Sequence, residues 1–355
     1  MKRLALFPMN RDQCAIARFA SLLQGYQLTH CITPAYKKLD GADTSRLDGG
    51  DPTGFTLTSF DASLFEFCDT IYIDYDERMP DFDMYKEVIQ AADLWDLDVI
   101  LSQEIYNQYE QGIEEIAPDH QLEQPMVDTM SDIPVPVVMV LSQGNYTDQL
   151  ATELALRKYF LDVGYNVSHI SDRCVAPLFG ATSYPHQLYQ PRDAYEKTRL
   201  FNQFARDLVD KEDPELLIIG IPGAIGKYSN MQLQGLGMFP YIICNAVKSD
   251  ASVLCMYQAD YNVEFLDMLN QLTNYKLDSP TTIFSIANVT AQPDGQYNGQ
   301  RLTYTDLDSQ FVLEHLKNDV EAGDYVLYNA LNSASAQQGG MAVQQALTDY
   351  AESIR

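Results

Sequence analysis

The chain has 355 residues, 46% of them hydrophobic, enough apolar material for two or three cored domains. Its 50 acidic against 23 basic residues give a net charge of −27, which speaks against nucleic-acid backbones and anionic membranes, since both select Lys/Arg patches. No apolar run reaches the ~20 residues of a membrane span, and the apolar start stops at Pro8, Asn10, Arg11 and Asp12, too soon for a signal peptide. A cytoplasmic protein is expected, with a charge that serves solubility and could suit a cationic partner.

The amino-terminal third alternates strands and helices. Leu4 to Phe7 reads as a strand, Gln13 to Gln24 as a helix, and Gln27 to Thr33 as a second strand. Gly49-Gly50-Asp51-Pro52 is a turn cluster. A strand at Thr70 to Asp74, a helix from Asp83 to Leu94 and a strand at Asp98 to Leu101 follow. This alternation predicts a parallel, doubly wound, Rossmann-like α/β domain over residues 1–125. The polar, proline-bearing stretch from Ala117 to Pro134 reads as a linker.

The pattern restarts in a second α/β domain, residues 133–355. Val135 to Leu141 is a strongly apolar strand, Gln149 to Val163 a helix stopped by Gly164, and Asn166 to Ile170 a strand. The helix Ala194 to Val209 leads into the strand Leu216 to Ile221. Strands are expected at Phe239 to Cys244, Ser252 to Tyr257, Thr281 to Ala287 and Asp324 to Asn329. Helices are expected at Asn262 to Leu272 and Met341 to Ile354, with a turn or hairpin-like excursion over Gln292 to Gly299. The fold class is thus two Rossmann-like domains in tandem.

In open α/β sheets ligands bind outside the carboxyl ends of the strands, so the loops there are the candidates. The loop Ser142 to Asp148 joins a buried strand to a helix, as a phosphate loop does. It has one glycine, no lysine, and Asp148 where a phosphate would sit, so it departs from G-x-x-x-x-G-K-[ST]. Either Thr147 or Asp148 simply caps the helix, or the loop is a degenerate anion site using Gln143, Gly144, Asn145, Thr147 and Asp148. The second candidate is Gly220-Ile221-Pro222-Gly223-Ala224-Ile225-Gly226-Lys227 through Asn230. Its glycines permit sharp turns and close approach, and Lys227 offers a cation, but the G-x-G-x-x-G spacing is absent. Gly220, Pro222, Gly223, Lys227 and Asn230 are its ligand candidates, against the alternative of a tight connection.

Asn10 and Arg11 after the first strand form a third candidate, since arginine can hold a carboxylate bidentately; capping with a surface arginine is the competing reading. Asp74, Asp76 and Glu77 could bind a divalent cation through oxygens, although such a set arises by chance in an acidic chain. The six cysteines and five histidines are dispersed, with no zinc, iron–sulfur or disulfide pattern. No catalytic residue or cofactor is assigned.

Val137-Val138-Met139-Val140-Leu141-Ser142-Gln143-Gly144-Asn145-Tyr146-Thr147-Asp148, the blocks through Phe179 to Pro185, Ile219 to Gly223 and Cys244 to Ala251, and Phe7-Pro8-Met9-Asn10-Arg11 together resemble a bacterial family of peptide maturation system proteins. That family is encoded beside radical SAM enzymes and small Cys-rich precursor peptides. The resemblance spans most of the chain through short blocks. The family pattern carries a lysine after the threonine of the first loop, where this chain has Asp148-Gln149, which weakens a phosphate role. The resemblance implies an accessory to maturation of a ribosomally made, modified peptide, binding the precursor peptide or the radical SAM enzyme in a cleft between domains. The alternative is an enzyme of a nucleotide or phosphorylated ligand using the 142–148 and 220–230 loops. A homo-oligomer is compatible with either.

Overall fold

The computed structural model describes residues 1–76, 79, 82–102, 104–106, 129–295, 301–318 and 323–353. Glu77, most of the expected linker and the tip of the 292–299 excursion lie outside them. The chain forms two α/β units, Met1–Pro118 with Arg173–Ser183, and Asp119–Asp172 with Tyr184–Arg355. Each is built on a parallel sheet flanked by helices.

In the first unit the elements are β1 (Lys2–Phe7), α1 (Cys14–Arg18), β2 (Tyr26–Thr33), β3 (Leu57–Ser59), β4 (Thr70–Ile73), α2 (Phe82–Leu94) and β5 (Asp98–Leu101). The sheet order is β3-β2-β1-β4-β5, with every pairing parallel. The chain therefore reverses its direction of winding between β1 and β4, the switch point where α/β folds open a crevice. Leu4 to Phe7 are fully buried, because a central parallel strand is covered on both faces. The expected helix Gln13 to Gln24 is shorter: α1 ends at Arg18 and gives way to a 3-10 turn at Ala20–Leu22. The Gln24 N–H donates to the Leu178 carbonyl, so a tertiary partner takes the place of the next helical bond.

The second unit contains β6 (Val137–Ser142), α3 (Gln149–Asp162), β7 (Val167–Ser171), α4 (Ala194–Glu212), β9 (Leu216–Ala224), α5 (Met238–Ala246) and β10 (Ala251–Met256). It continues with α6 (Val263–Leu277), β11 (Ile283–Ile286), β12 (Val289–Pro293), β13 (Leu302–Asp306), α7 (Ser309–Asn318), β14 (Val326–Tyr328) and α8 (Ser333–Ser353). The short strand β8 (Thr182–Ser183) lies in the segment that returns to the first unit. Strands run parallel in the order β14-β11-β10-β6-β9-β7, while β12 and β13 pair antiparallel as a separate hairpin. The switch point falls between β6 and β10.

Two expectations are corrected. Residues 239–244 are not a strand but belong to α5. A short run that is apolar all round fits a buried helix as well as a strand, and Pro240 falls in the first helical turn, where a missing N–H costs nothing. The 220–224 segment is not yet loop but the end of β9. Val140 faces Gly220 and Ser142 faces Ala224, so β9 carries extra residues against β6. Gly223, at φ +78°, takes up that bulge.

α3 is buried almost all round and presents polar side chains to the sheet. Gln149 Nε2 donates to the Val140 carbonyl at 3.1 Å and the Ile221 carbonyl at 2.8 Å, bridging β6 and β9. Thr152 Oγ1 lies 2.9 Å from Ser285 Oγ on β11. Glu153 Oε2 accepts from Ser171 Oγ at 2.7 Å and sits 3.1 Å from His169 Nε2, both on β7. Glu153 and His169 have no exposed side-chain surface. A β-carbon at Gly220 would collide with the Glu153 carboxylate, so that glycine serves packing. These bonds lock α3, and hence the loop before it, to the sheet.

Candidate functional site

The loop after β6 is closed on itself. Ser142 Oγ donates to the Gly144 carbonyl at 2.5 Å, and Thr147 Oγ1 donates to the same oxygen at 3.0 Å. The Gly144 N–H returns to Ser142 Oγ at 3.0 Å. Two hydroxyls and a carbonyl fill the space where a phosphate loop would aim its N–H groups at an anion. Asp148 stands at the helix start with φ 54° and gives no side-chain cap. Its carboxylate instead accepts from the Asn288 N–H at 3.0 Å, tying the loop to the end of β11. Thr147 is likewise spent inside the loop, so neither residue caps α3.

The residue that defines this place is Tyr257, at the end of β10 across the switch point. Its hydroxyl donates to the Asn145 carbonyl at 2.8 Å, and its N–H donates to Gln143 Oε1 at 3.1 Å. A β-carbon at Gly144 would collide with the Tyr257 hydroxyl, which explains the glycine. Burial pushes the Tyr257 phenol above its ordinary pKa, with neighbouring tyrosines adding to the rise. Tyr304 of β13 packs edge-on against Tyr146 at 4.8 Å between ring centroids and lies 6.0 Å from Tyr257. Tyr228, in the loop after β9, is 6.2 Å from Tyr257 and donates its hydroxyl to the Ala291 carbonyl of β12 at 3.0 Å. Tyrosines thus join the loops after β6, β9 and β10 to the β12–β13 hairpin.

Gln143, Gly144, Asn145, Thr147 and Asp148 are therefore together at the carboxyl end of β6. Lys227 and Asn230 follow the neighbouring strand β9; Lys227 is exposed and donates to Asn230 Oδ1 at 2.7 Å. Gly220 and Pro222 are buried within β9 and hold no position open to a ligand. Gly223 is exposed, and a β-carbon there would meet nothing; its glycine is required by backbone conformation. The tyrosines are not recognisable as a set in the sequence because Tyr146, Tyr228 and Tyr257 follow three different strands and Tyr304 lies within β13.

In the first unit, Asn10 and Arg11 follow β1 at its switch point. Asn10 Oδ1 accepts from the Gln13 N–H at 2.9 Å, a local turn bond. Arg11 is buried and donates to the Asp48 carbonyl at 3.3 Å. Asp74 and Asp76 lie just past β4. Lys37 Nζ pairs with Asp76 Oδ2 at 3.1 Å. Desolvation raises Asp74 to about 6, with Glu104 and Asp12 adding to the rise. Among the described residues, no group of three or more His, Cys, Asp or Glu side chains could hold a metal ion. Burial pushes the Cys244 thiol up.

No helix among the described residues is long and apolar enough to cross a membrane. No family model and no curated protein matches the sequence. Among solved structures the chain is similar to a DUF1611 family protein from Anabaena variabilis, with a TM-score of 0.59 and 11% identity over 98% of this chain and 100% of that one. At that identity the likeness is one of fold, and it extends over both units. A pseudomurein peptide ligase type C from Methanothermus fervidus aligns with a TM-score of 0.26 and 11% identity, over 80% of this chain and 44% of that one; a score so low carries no argument.

Proposed function

We propose that this protein is an accessory in the maturation of a ribosomally made, modified peptide, and that it binds the precursor peptide at the carboxyl ends of β6, β9 and β10. The observation that carries this reading is the closed, hydroxyl-filled loop of Ser142 to Thr147 beneath a set of tyrosines. Tyrosines offer large apolar faces with polar tips, which suits peptide side chains and main chain. A self-satisfied loop followed by Asp148 offers little to a phosphate. The resemblance to peptide maturation proteins points the same way and adds the radical SAM enzyme as a partner.

The test is affinity purification of the tagged chain from its native host. Recovery of a small precursor peptide or a modifying enzyme, reduced in Tyr146→Ala/Tyr304→Ala, is the expected outcome. Neither species recovered in repeated purifications would overturn the reading.

The alternative, a nucleotide- or phosphate-dependent enzyme, draws on Gly223 at the end of β9 and Lys227 just after it, next to the β6 loop. Melting temperature with ATP, GTP and S-adenosylmethionine, each with and without magnesium, separates the two, because a ligand of the native state raises it by mass action. A rise of several degrees that disappears in Lys227→Ala would favour the enzyme.

A further inference from the structure

At the carboxyl ends of β6, β9 and β10, hydroxyl and N–H donors are matched to oxygens of the fold itself. The Gly144 carbonyl takes Ser142 and Thr147, the Asn145 carbonyl and Gln143 Oε1 take Tyr257, and the Ala291 carbonyl takes Tyr228. Gln234, in the turn between β9 and α5, departs from this. A β-carbon at Gly144 would lie 3.1 Å from Gln234 Nε2 and 3.2 Å from Gln234 Oε1, and would also strike the Tyr257 hydroxyl. The Gln234 amide therefore covers Gly144 beside Tyr257. Its Oε1 is buried there and has no hydrogen-bond partner. Buried carbonyl oxygens are nearly always paired, because one left without a donor has given up its hydration for nothing.

The backbone that carries this amide is strained. Gln234, Gly235, Leu236 and Gly237 all have positive φ, at 44°, 63°, 56° and 69°, a region that residues such as glutamine and leucine seldom occupy. The turn is held by Lys276, whose Nζ donates to the Leu236 carbonyl at 2.7 Å and the Ile225 carbonyl at 2.9 Å. Gly237 is obligatory, since a β-carbon would strike the Ile225 carbonyl. The Ile225 N–H donates to the Ser142 carbonyl at 2.9 Å, so the strained turn is tied to the same loop that Gln234 covers. Leu233 and Leu236, on either side of the amide, are half-exposed. The turn is thus at the surface, and the Gln234 side chain can swing off Gly144 without unpacking the core. Strain of this kind persists where function requires it, and here it coincides with a stranded acceptor.

We infer that Gln234 recognises the main chain of the bound peptide, its Oε1 accepting a peptide N–H; this rests on the peptide-binding reading given above. The chemistry selects a neutral donor. A phosphate dianion brings acceptors only and would set oxygen against oxygen. An ammonium group calls for a carboxylate, but no Asp or Glu occurs from Leu216 through Ser249, and Lys276 binds the carbonyl two residues beyond Gln234. A peptide carries an N–H at every residue but proline. Tyr228 and Tyr304 flank Tyr257 at 6.2 Å and 6.0 Å between ring centroids. Their rings receive side chains, while Gln234, against the hydroxyl of the same Tyr257, holds the main chain.

Two measurements on the full chain test this. Gln234→Met keeps the length of the side chain and removes the stranded oxygen, so the melting temperature of the free protein should stay the same or rise. The probe for binding is the tightest short peptide selected on the parent from a random display library, provided that Tyr146→Ala/Tyr304→Ala loses it. That peptide is remade with each main-chain N–H methylated in turn. One methylated position should weaken binding to the parent about tenfold. Gln234→Met should bind the unmethylated peptide about tenfold more weakly and be indifferent to that methyl group, the coupling expected of two groups in contact. A melting temperature several degrees lower in Gln234→Met means that the oxygen is bonded within the fold. A peptide held equally by parent and Gln234→Met means that another group meets the main chain. Either result overturns this inference and leaves the peptide reading standing, whereas a library that yields no peptide dependent on Tyr146 and Tyr304 overturns both.

Discussion

The loop after β1 and the loop after β6 hold equivalent places, each following the strand at the switch point of its own sheet, but different chemistry fastens them. Charge secures the first. Arg18 grips the Asp48 carboxylate through two bonds of 2.8 Å, and Arg11 donates to the Asp48 carbonyl, with both partners of the Arg18–Asp48 pair almost fully buried. Neutral hydroxyls and tyrosines secure the second, with Asp148 bound to a main-chain N–H. The difference shows where adaptability lies. A buried ion pair tolerates little change, because either partner alone is a stranded charge. A loop tied by neutral groups can exchange one hydrogen bond for another at about 1 kcal/mol each, which suits a surface that meets a ligand.

The largest effect is expected at the lock behind the second loop: Glu153→Ala takes the carboxylate from buried His169 and Ser171 and leaves a cavity, at about 3–5 kcal/mol of unfolding free energy in urea titration. Arg18→Ala removes both guanidinium bonds to the buried Asp48 carboxylate, which keeps the Gly50 N–H, and should cost about 3 kcal/mol in the same assay. A loss below about 1 kcal/mol would mean that charge does not hold the first loop. Lys276→Met removes two bonds from the strained turn and should cost about 1–2 kcal/mol, with faster hydrogen exchange at Leu236 and Gly237.

A smaller effect is confined to a pH window. Asp74 is raised to about 6 by burial, so between the ordinary carboxylate range and 6 the folded chain holds a proton that the unfolded chain has released. Stability therefore falls as pH rises through that window. Asp74→Asn should flatten the slope, seen as a melting temperature that declines less from pH 4 to pH 6 than that of the parent. The smallest effect belongs to Lys227→Ala: an exposed side chain bonded to a neighbouring asparagine should change stability by no more than about 0.5 kcal/mol.

Much of the architecture was legible because its signals are local. The apolar runs of β6, β9 and β10 announced buried parallel strands, and Gly164 marked the end of α3. The site was legible in outline, since strand ends are where loops meet, but its chemistry was not. Glu153 reads like any other acidic residue on a helix; only the packing of α3 between β7 and Gly220 makes it a buried anchor. Tyr257 lies more than a hundred residues from Gly144 in the chain, and only the β6–β10 pairing sets its hydroxyl against that glycine.

The class follows from local patterns in the chain: parallel α/β units with burial patterns that a single strand or helix imposes through its own period. The acid-free stretch from Leu216 to Ser249 is equally local, since charge is a property of composition. Tertiary structure decided what that stretch became. It bent residues 239–244 into a helix against β9, extended β9 through a glycine bulge, and turned Leu236 outward under the grip of Lys276. Hydrophobicity says that a residue gains by leaving water, but which surface receives it depends on partners distant in the chain.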